Sequence, residues 1–189
     1  LFSDYSTPRC TNMVNLLQKS NMDVFTFGNH DLYFDQTVTE LQIKLEKRII
    51  STNTQYKSGQ SMNCKKFLSL QRGVRVLNIG LTVFGEYESV RTINVTELFT
   101  PAFQKELVSW MLNNDLLVIH FHTKYNDAEV RQVYDQIRAI QTLLGFKYPF
   151  VIQAAHGHNK YSKPCFGDPS CFLVEASKYL QYLHHMRLH

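Results

Sequence analysis

The chain has 189 residues, enough for one domain with a substantial core and too few for two ordinary ones. A composition 44% hydrophobic and 19% charged excludes intrinsic disorder, and no apolar run approaches the roughly 18 residues that a membrane span needs. The net charge is +4. Its densest basic group (Lys44, Lys47, Arg48, Lys65, Lys66) is diluted by Glu40 and Glu46, so it reads as a solvated face and gives no pointer to nucleic acid.

The chain starts at Leu1 with no charged segment followed by an apolar one, so no signal peptide is visible and the start reads as processed or truncated. Leu1 to Thr7 reads as loop. Thr7 as a cap and Pro8 in the first turn predict a helix to Lys19, with Met13, Val14, Leu16 and Leu17 as its apolar positions. Met22 to Phe27 reads as a strand, Thr37 to Lys47 as a helix, and Arg48 to Asn53 as a short strand. Thr54 to Lys66 is polar and is expected to be loop. Phe67 to Gln71 and Val74 to Leu81 predict a hairpin turning at Arg72-Gly73. Leu81 to Thr92 has no clear period and is left open. Thr100-Pro101 opens a helix whose apolar face is Phe103, Leu107, Trp110 and Met111. Leu116 to His122 is a strand. Asp127 to Leu144 is the clearest helix, with a stripe of Val130, Val133, Tyr134, Ile137, Ile140 and Leu144. Phe150 to Ala155 and Phe172 to Ala176 are further strands, whereas Tyr179 to Met186 fits helix or strand equally.

The cysteines are Cys10, Cys64, Cys165 and Cys171, with no Cys-x-x-Cys pair, which argues against zinc-ribbon and thioredoxin-like centres. Asp168-Pro169 predicts a turn that brings Cys165 and Cys171 within bridging distance. Asn94-Val95-Thr96 is a glycosylation sequon.

Chemistry concentrates where three apolar strands stop. The first ends at Gly28-Asn29-His30-Asp31, the second at His120-Phe121-His122, and the third at His156-Gly157-His158. Rigid strand ends aim such residues at a cleft, and an amide oxygen with several imidazoles suits a transition metal. Each piece has a plainer reading. Asn29 can be a turn residue after Gly28, His30 a polar loop histidine, and His156-x-His158 a chance pair. His120 and His122 share one strand face, so one of them can be a satisfied core histidine. No Gly-x-Ser-x-Gly elbow and no phosphate-cradling glycine loop is present.

Taken in order, Gly-Asn-His-Asp, His-Thr at His122-Thr123 and His-Gly-His resemble the calcineurin-like metallophosphoesterase superfamily, in its secreted or vacuolar 5′-nucleotidase-like branch. Ser51 to Asn53 is similar to that family's Ser-x-Asn strand end. The resemblance runs over residues 1–177 as a partial catalytic domain, with 178–189 as a C-terminal segment of undecided structure. It implies an α/β fold, a β-sandwich flanked by helices that here lacks its first strand. It also implies a site for two divalent ions (Zn, Mn or Fe) and a metal-activated water that hydrolyses a small-molecule phosphoester.

By the same resemblance Asn29, His122 and His156 are ligands of one ion and His158 a ligand of the other. His30 is the catalytic histidine, which stabilises the phosphoryl group or protonates the leaving oxygen, and Asp31 orders the loop. The family's Asp-x-His and Gly-Asp motifs are not in these residues. The chain alone is therefore expected to bind at most one metal and to be inactive, as a truncated catalytic domain. The alternative is a non-catalytic scaffold or truncated gene product that keeps a partial metal site. The resemblance and the sequon together point to an oxidising, secreted or vacuolar compartment. Substrate identity and oligomeric state are open at this point.

Overall fold

The computed structural model describes residues 11–60 and 62–177. Its centre is a six-stranded sheet in the order β10-β11-β9-β8-β5-β4. The four inner strands run parallel: β5 (Val74–Thr82), β8 (Leu116–His122), β9 (Phe150–Ala154) and β11 (Asp168–Ala176). The edge strands β4 (Phe67–Arg72) and β10 (Lys160–Cys165) are each antiparallel to their neighbour. Parallel strands buried on both faces read as near-continuous apolar runs, which is how β8 and β9 stand in the sequence.

Alternation along these strands sorts their side chains onto two faces. One face carries Leu77, Ile79, Leu81, Leu117, Ile119, Phe121, Phe150, Ile152 and Leu173 against three helices. These are α3 (Val95–Leu98), α4 (Pro101–Met111) and α5 (Ala128–Leu144). The Thr100 hydroxyl accepts from the Phe103 N–H to start α4, and Gly145 ends α5 in the left-handed conformation at φ 71°. The opposite face carries Asn78, Gly80, Thr82, His120 and His122. A second layer sits on it, made of α1 (Thr11–Lys19), β1 (Phe25–Thr26), α2 (Asp35–Leu45) and β2 (Ile49–Ile50). Val14, Phe27, Leu32, Val38, Leu41, Leu45 and Ile49 form that layer's own core, each burial contributing about 1.5–3 kcal/mol. A three-stranded sheet, β3 (Thr54–Tyr56), β7 (Val90–Thr92) and β6 (Gly85–Glu86), closes one side.

The fold class is as the resemblance implies, α/β with a helix-flanked sheet. Several element expectations need correction. The strands at Met22–Phe27 and Arg48–Asn53 shrink to two residues each, because β1 and β2 pair in parallel only over Phe25↔Ile49 and Thr26↔Ile50. Beyond Ile50 the chain leaves the ladder and tucks under β5, with the Asn53 side chain both accepting from Thr82 N–H and donating to Thr82 O. Thr54–Tyr56 is a strand rather than loop; the open stretch Leu81–Thr92 supplies its partner β7 and the third strand β6, which pairs with β7. β10 and the first half of β11 lacked an apolar run to announce them. The cysteine turn is also displaced. Phe166 and Gly167 turn the hairpin with φ 50° and 84°, and Pro169 lies inside β11, since a tight hairpin needs positive φ that proline cannot adopt. Cys165 and Cys171 are nonetheless bonded, Cα atoms 5.2 Å apart. The stretch Tyr179–Met186 and the start of the first helix lie outside the described residues.

Two consequences are measurable. A Cβ at Gly80 would lie 2.5 Å from Thr26 Oγ1 and 2.6 Å from Ile50 O, so only glycine lets the second layer approach β5. Gly80→Ala should cost about 1–3 kcal/mol in urea unfolding through overpacking. On the other face, burial would raise the Asp168 carboxyl above 3.8. The Ser170 N–H and hydroxyl, the Tyr134 hydroxyl and the Arg138 guanidinium instead hold it down at about 2. A depressed carboxylate stabilises above its unfolded value and stops doing so as pH falls through the folded one. Asp168→Asn should therefore cost about 1–3 kcal/mol at neutral pH, and the deficit should shrink between about pH 4 and pH 2 in acid titration melts.

Candidate metal centre

The site is built where the second layer meets the end of β8. Phe27 is fully buried, its carbonyl accepting from the Thr82 hydroxyl at 2.8 Å, which fixes the chain as it leaves β1. Gly28 follows, and a Cβ there would fall 2.9 Å from His122 Cε1. The 3-10 turn Asn29–Leu32 is then locked by Asp31, whose carboxylate accepts from Gly28 N–H at 2.9 Å while its own N–H donates to Gly28 O at 3.0 Å. Burial raises the Asp31 carboxyl, with the Gly28 N–H and the charge of His30 opposing. Asp31 thus orders the loop.

That turn delivers Asn29 to His122. Asn29 Oδ1 lies 3.0 Å from His122 Nε2, and His156 Nδ1 lies 3.2 Å from the same nitrogen. The Asn29 amide is oriented by Tyr33, whose hydroxyl accepts from Nδ2 at 3.1 Å, leaving Oδ1 to face the histidines. Lone-pair atoms from two other strand ends are therefore gathered about His122 Nε2. Ligands each ~2.0–2.2 Å from a shared ion stand roughly 3 Å or slightly more apart, so the spacing fits a single cation. One proton on His122 Nε2 can serve Asn29 or His156 but not both, whereas a cation satisfies all three.

Electrostatics keep the imidazoles in the ligating form. Burial, then the charges of His156, His30 and His158, push His122 down to about 4. His156 is also lowered, by burial and then by Lys124, His158 and His30, with Asp127 opposing. Both are neutral at pH 7, and neutral imidazole is the form that binds metal. His156 and His158 adopt positive φ, 90° and 59°, a conformation unusual for non-glycine residues that clusters at functional sites.

The sequence-expected residues divide clearly. Asn29, His122 and His156 come together. His158 is exposed at the rim, its hydroxyl-bonded carbonyl held by Ser177 at 3.1 Å. His30 is exposed beside the cluster, its ring edge-on to Tyr33 at 4.9 Å. His120, the alternative to His122, lies on the same sheet face but is engaged elsewhere: Asn78 Oδ1 lies 3.0 Å from its Nε2 and Gln153 Oε1 3.0 Å from its Nδ1. Burial lowers it to about 4, as for a satisfied interior histidine. Among the described residues no group of three His, Cys, Asp or Glu side chains is placed to hold a metal. The third donor is the Asn29 amide, and no carboxylate joins the cluster. A cavity of about 580 Å³ lined by Thr52, Thr54, Lys66 and Phe103 includes none of these residues.

Sequence reasoning missed the supports. Asp127 accepts from the Thr123 hydroxyl at 2.6 Å and from Lys124 N–H at 3.1 Å, pinning the loop after His122. Tyr33 fixes Asn29, and Asn53 clips the second layer to Thr82. Only Asn53 carried a signal, through the Ser-x-Asn strand end. Gly28→Ala should push the His122 ring off Asn29, visible as a changed His122 resonance in NMR, and lower Zn²⁺ affinity about 10–100-fold, as loss of ligand support does.

No protein-family profile matches the sequence, and no curated protein matches it. Among solved structures the chain is similar to the crystal structure of a 5′-nucleotidase from Candida albicans SC5314, with a TM-score of 0.78 at 21% identity over 95% of this chain. The match covers 34% of that protein, so this chain spans about a third of its length. The fold of this chain is accordingly 5′-nucleotidase-like.

Proposed function

We propose that this chain carries part of the catalytic domain of a metal-dependent phosphoester hydrolase acting on a small-molecule substrate. The observation that carries the reading is the approach of Asn29 Oδ1 and His156 Nδ1 to the same His122 Nε2, at 3.0 and 3.2 Å. The fold likeness to a 5′-nucleotidase supports it. In this reading Asn29, His122 and His156 hold one divalent cation of the Zn, Mn or Fe class, and His158 at the rim belongs to a second. A bound cation supplies Lewis-acid polarisation of the phosphoryl oxygen and an activated water.

The chain's own residues do the rest. Tyr33 and Asp31 hold Asn29 and its loop in place. His30, exposed beside the cluster, is placed to stabilise phosphoryl charge and to give a proton to the leaving oxygen. The Cys165–Cys171 bridge supports a secreted or lumenal setting, where disulfides persist.

The absence of a carboxylate from the cluster among the described residues favours a qualification. Two cations ~3.5–4 Å apart repel and need bridging negative ligands. Residues 1–189 by themselves therefore hold at most one cation and show no turnover above background, which is also what a non-catalytic scaffold would show. Dialysis against Zn²⁺ or Mn²⁺ followed by metal analysis should give at most one equivalent, lost in His122→Ala. Hydrolysis of an aryl phosphate should stay at the blank rate. Two retained equivalents, or turnover abolished by His30→Ala, would show that other residues complete the site. Metal content unchanged in His122→Ala would remove the ligand assignment.

A further inference from the structure

Beyond the three donor side chains, one buried carboxylate reaches both loops that deliver the histidines. Glu175 lies near the end of β11 and is 1% exposed. Its Oε2 accepts from Tyr125 N–H at 3.2 Å, three residues after His122, and its Oε1 accepts from Asn159 N–H at 3.3 Å, the residue after His158. Gly157 lies against it, and a Cβ there would fall 2.9 Å from Oε1 and 3.1 Å from Oε2. The glycine between the two histidines is thus the gap that the carboxylate occupies. We propose that Glu175 is the positioning residue of the centre, holding the His122 loop and the His156–His158 loop at the separation that lets both imidazoles face Asn29. This rests on the metal-site reading above.

The chemistry of a carboxylate explains the choice. It accepts and does not donate, so both oxygens can take N–H groups from different loops at once. A buried polar group needs hydrogen-bond partners, and here donors come from both loops. The loop on the His156 side also needs an external hold, because His156 and His158 both sit at positive φ. The backbone ladder contributes little there: β9 ends at Ala154, and Ala155 N–H bonds Phe121 O and Thr123 O. After Ala155 the side-chain contact from Glu175 replaces strand pairing, until Ser177 N–H reaches Asn159 O at 2.8 Å.

Glu175→Gln is the sharpest test. It keeps the shape but turns one acceptor into an amide NH₂, which opposes either the Tyr125 or the Asn159 N–H. Gly157→Ala attacks the same contact from the other side and leaves the carboxylate in place. With the full chain and Zn²⁺ alone as probe, each variant should bind Zn²⁺ about 10–100-fold more weakly in a chelator competition. In the metal-free protein, Tyr125 and Asn159 amides should exchange faster, and the NOE between the His122 and His156 rings should weaken, while far-UV circular dichroism is unchanged. A general loss of structure would instead raise exchange throughout the sheet. Retained ring NOE and retained amide protection in both variants would overturn the proposal. If the wild type itself binds no Zn²⁺, the metal-site reading fails, and the NOE and exchange data still decide whether Glu175 sets the histidine separation. Should Glu175→Gln not fold, Gly157→Ala carries the same comparison.

Discussion

The contact on which this site depends is the 3.0 Å approach of Asn29 Oδ1 to His122 Nε2, two side chains from different layers and 93 positions apart in sequence. Everything near it is arranged so that the layers can come that close. Gly80 removes the side chain that would hold β1 and β2 off β5, and Gly28 removes the one that would meet the His122 ring. Thr82 then binds Phe27 O with its hydroxyl and Asn53 with its backbone, so the segments just after β1 and β2 are tied to β5 at the level of the cluster. Interiors are close-packed and tolerate little misfit, so a methyl group at either glycine acts directly on the donor spacing.

A second constraint is electrical. Burial lowers the proton affinity of both His122 and His156, and neighbouring imidazoles add to it, with Lys124 contributing at His156. The downward shifts favour the neutral imidazole, the form with a lone pair to offer. Among the described residues no carboxylate joins these donors, which in the proposed reading suits one divalent cation better than two. Glu175 and Asp127 provide carboxylates behind the loops, Glu175 accepting from two backbone N–H groups and Asp127 from one hydroxyl and one backbone N–H.

Much of this was legible in the sequence, for identifiable reasons. β8 and β9 carry near-continuous apolar runs and α4 and α5 helical apolar periods; Phe103, Leu107 and Met111 of α4 are buried as expected, whereas Trp110 stays 37% exposed. His122 and His156 stand at the ends of such strands, where register fixes direction. The strand ends also explain the choice of His122 over His120, which alternation alone left open because both lie on one face. The asparagine and glutamine that satisfy His120 come from β5 and β9, and no local pattern links them to it. The short strands β1, β2, β3, β6 and β7 were misjudged or missed, because two or three residues carry no period and are held by tertiary contacts. Pro169 misled the placement of the hairpin turn, which obeys the positive φ of Phe166 and Gly167. Glu175 was invisible for a further reason: a lone acid in an apolar strand has no sequence signature for the loops it will bridge.

As proposed, these three strand ends make one cation site. Crystals of the chain soaked in Mn²⁺ or Zn²⁺ and measured at the metal's absorption edge address it directly. One anomalous peak should stand about 2.0–2.2 Å from Asn29 Oδ1, His122 Nε2 and His156 Nδ1 together. A peak bound elsewhere, or an intact Asn29–His122 hydrogen bond with no peak at saturating metal, would contradict the claim.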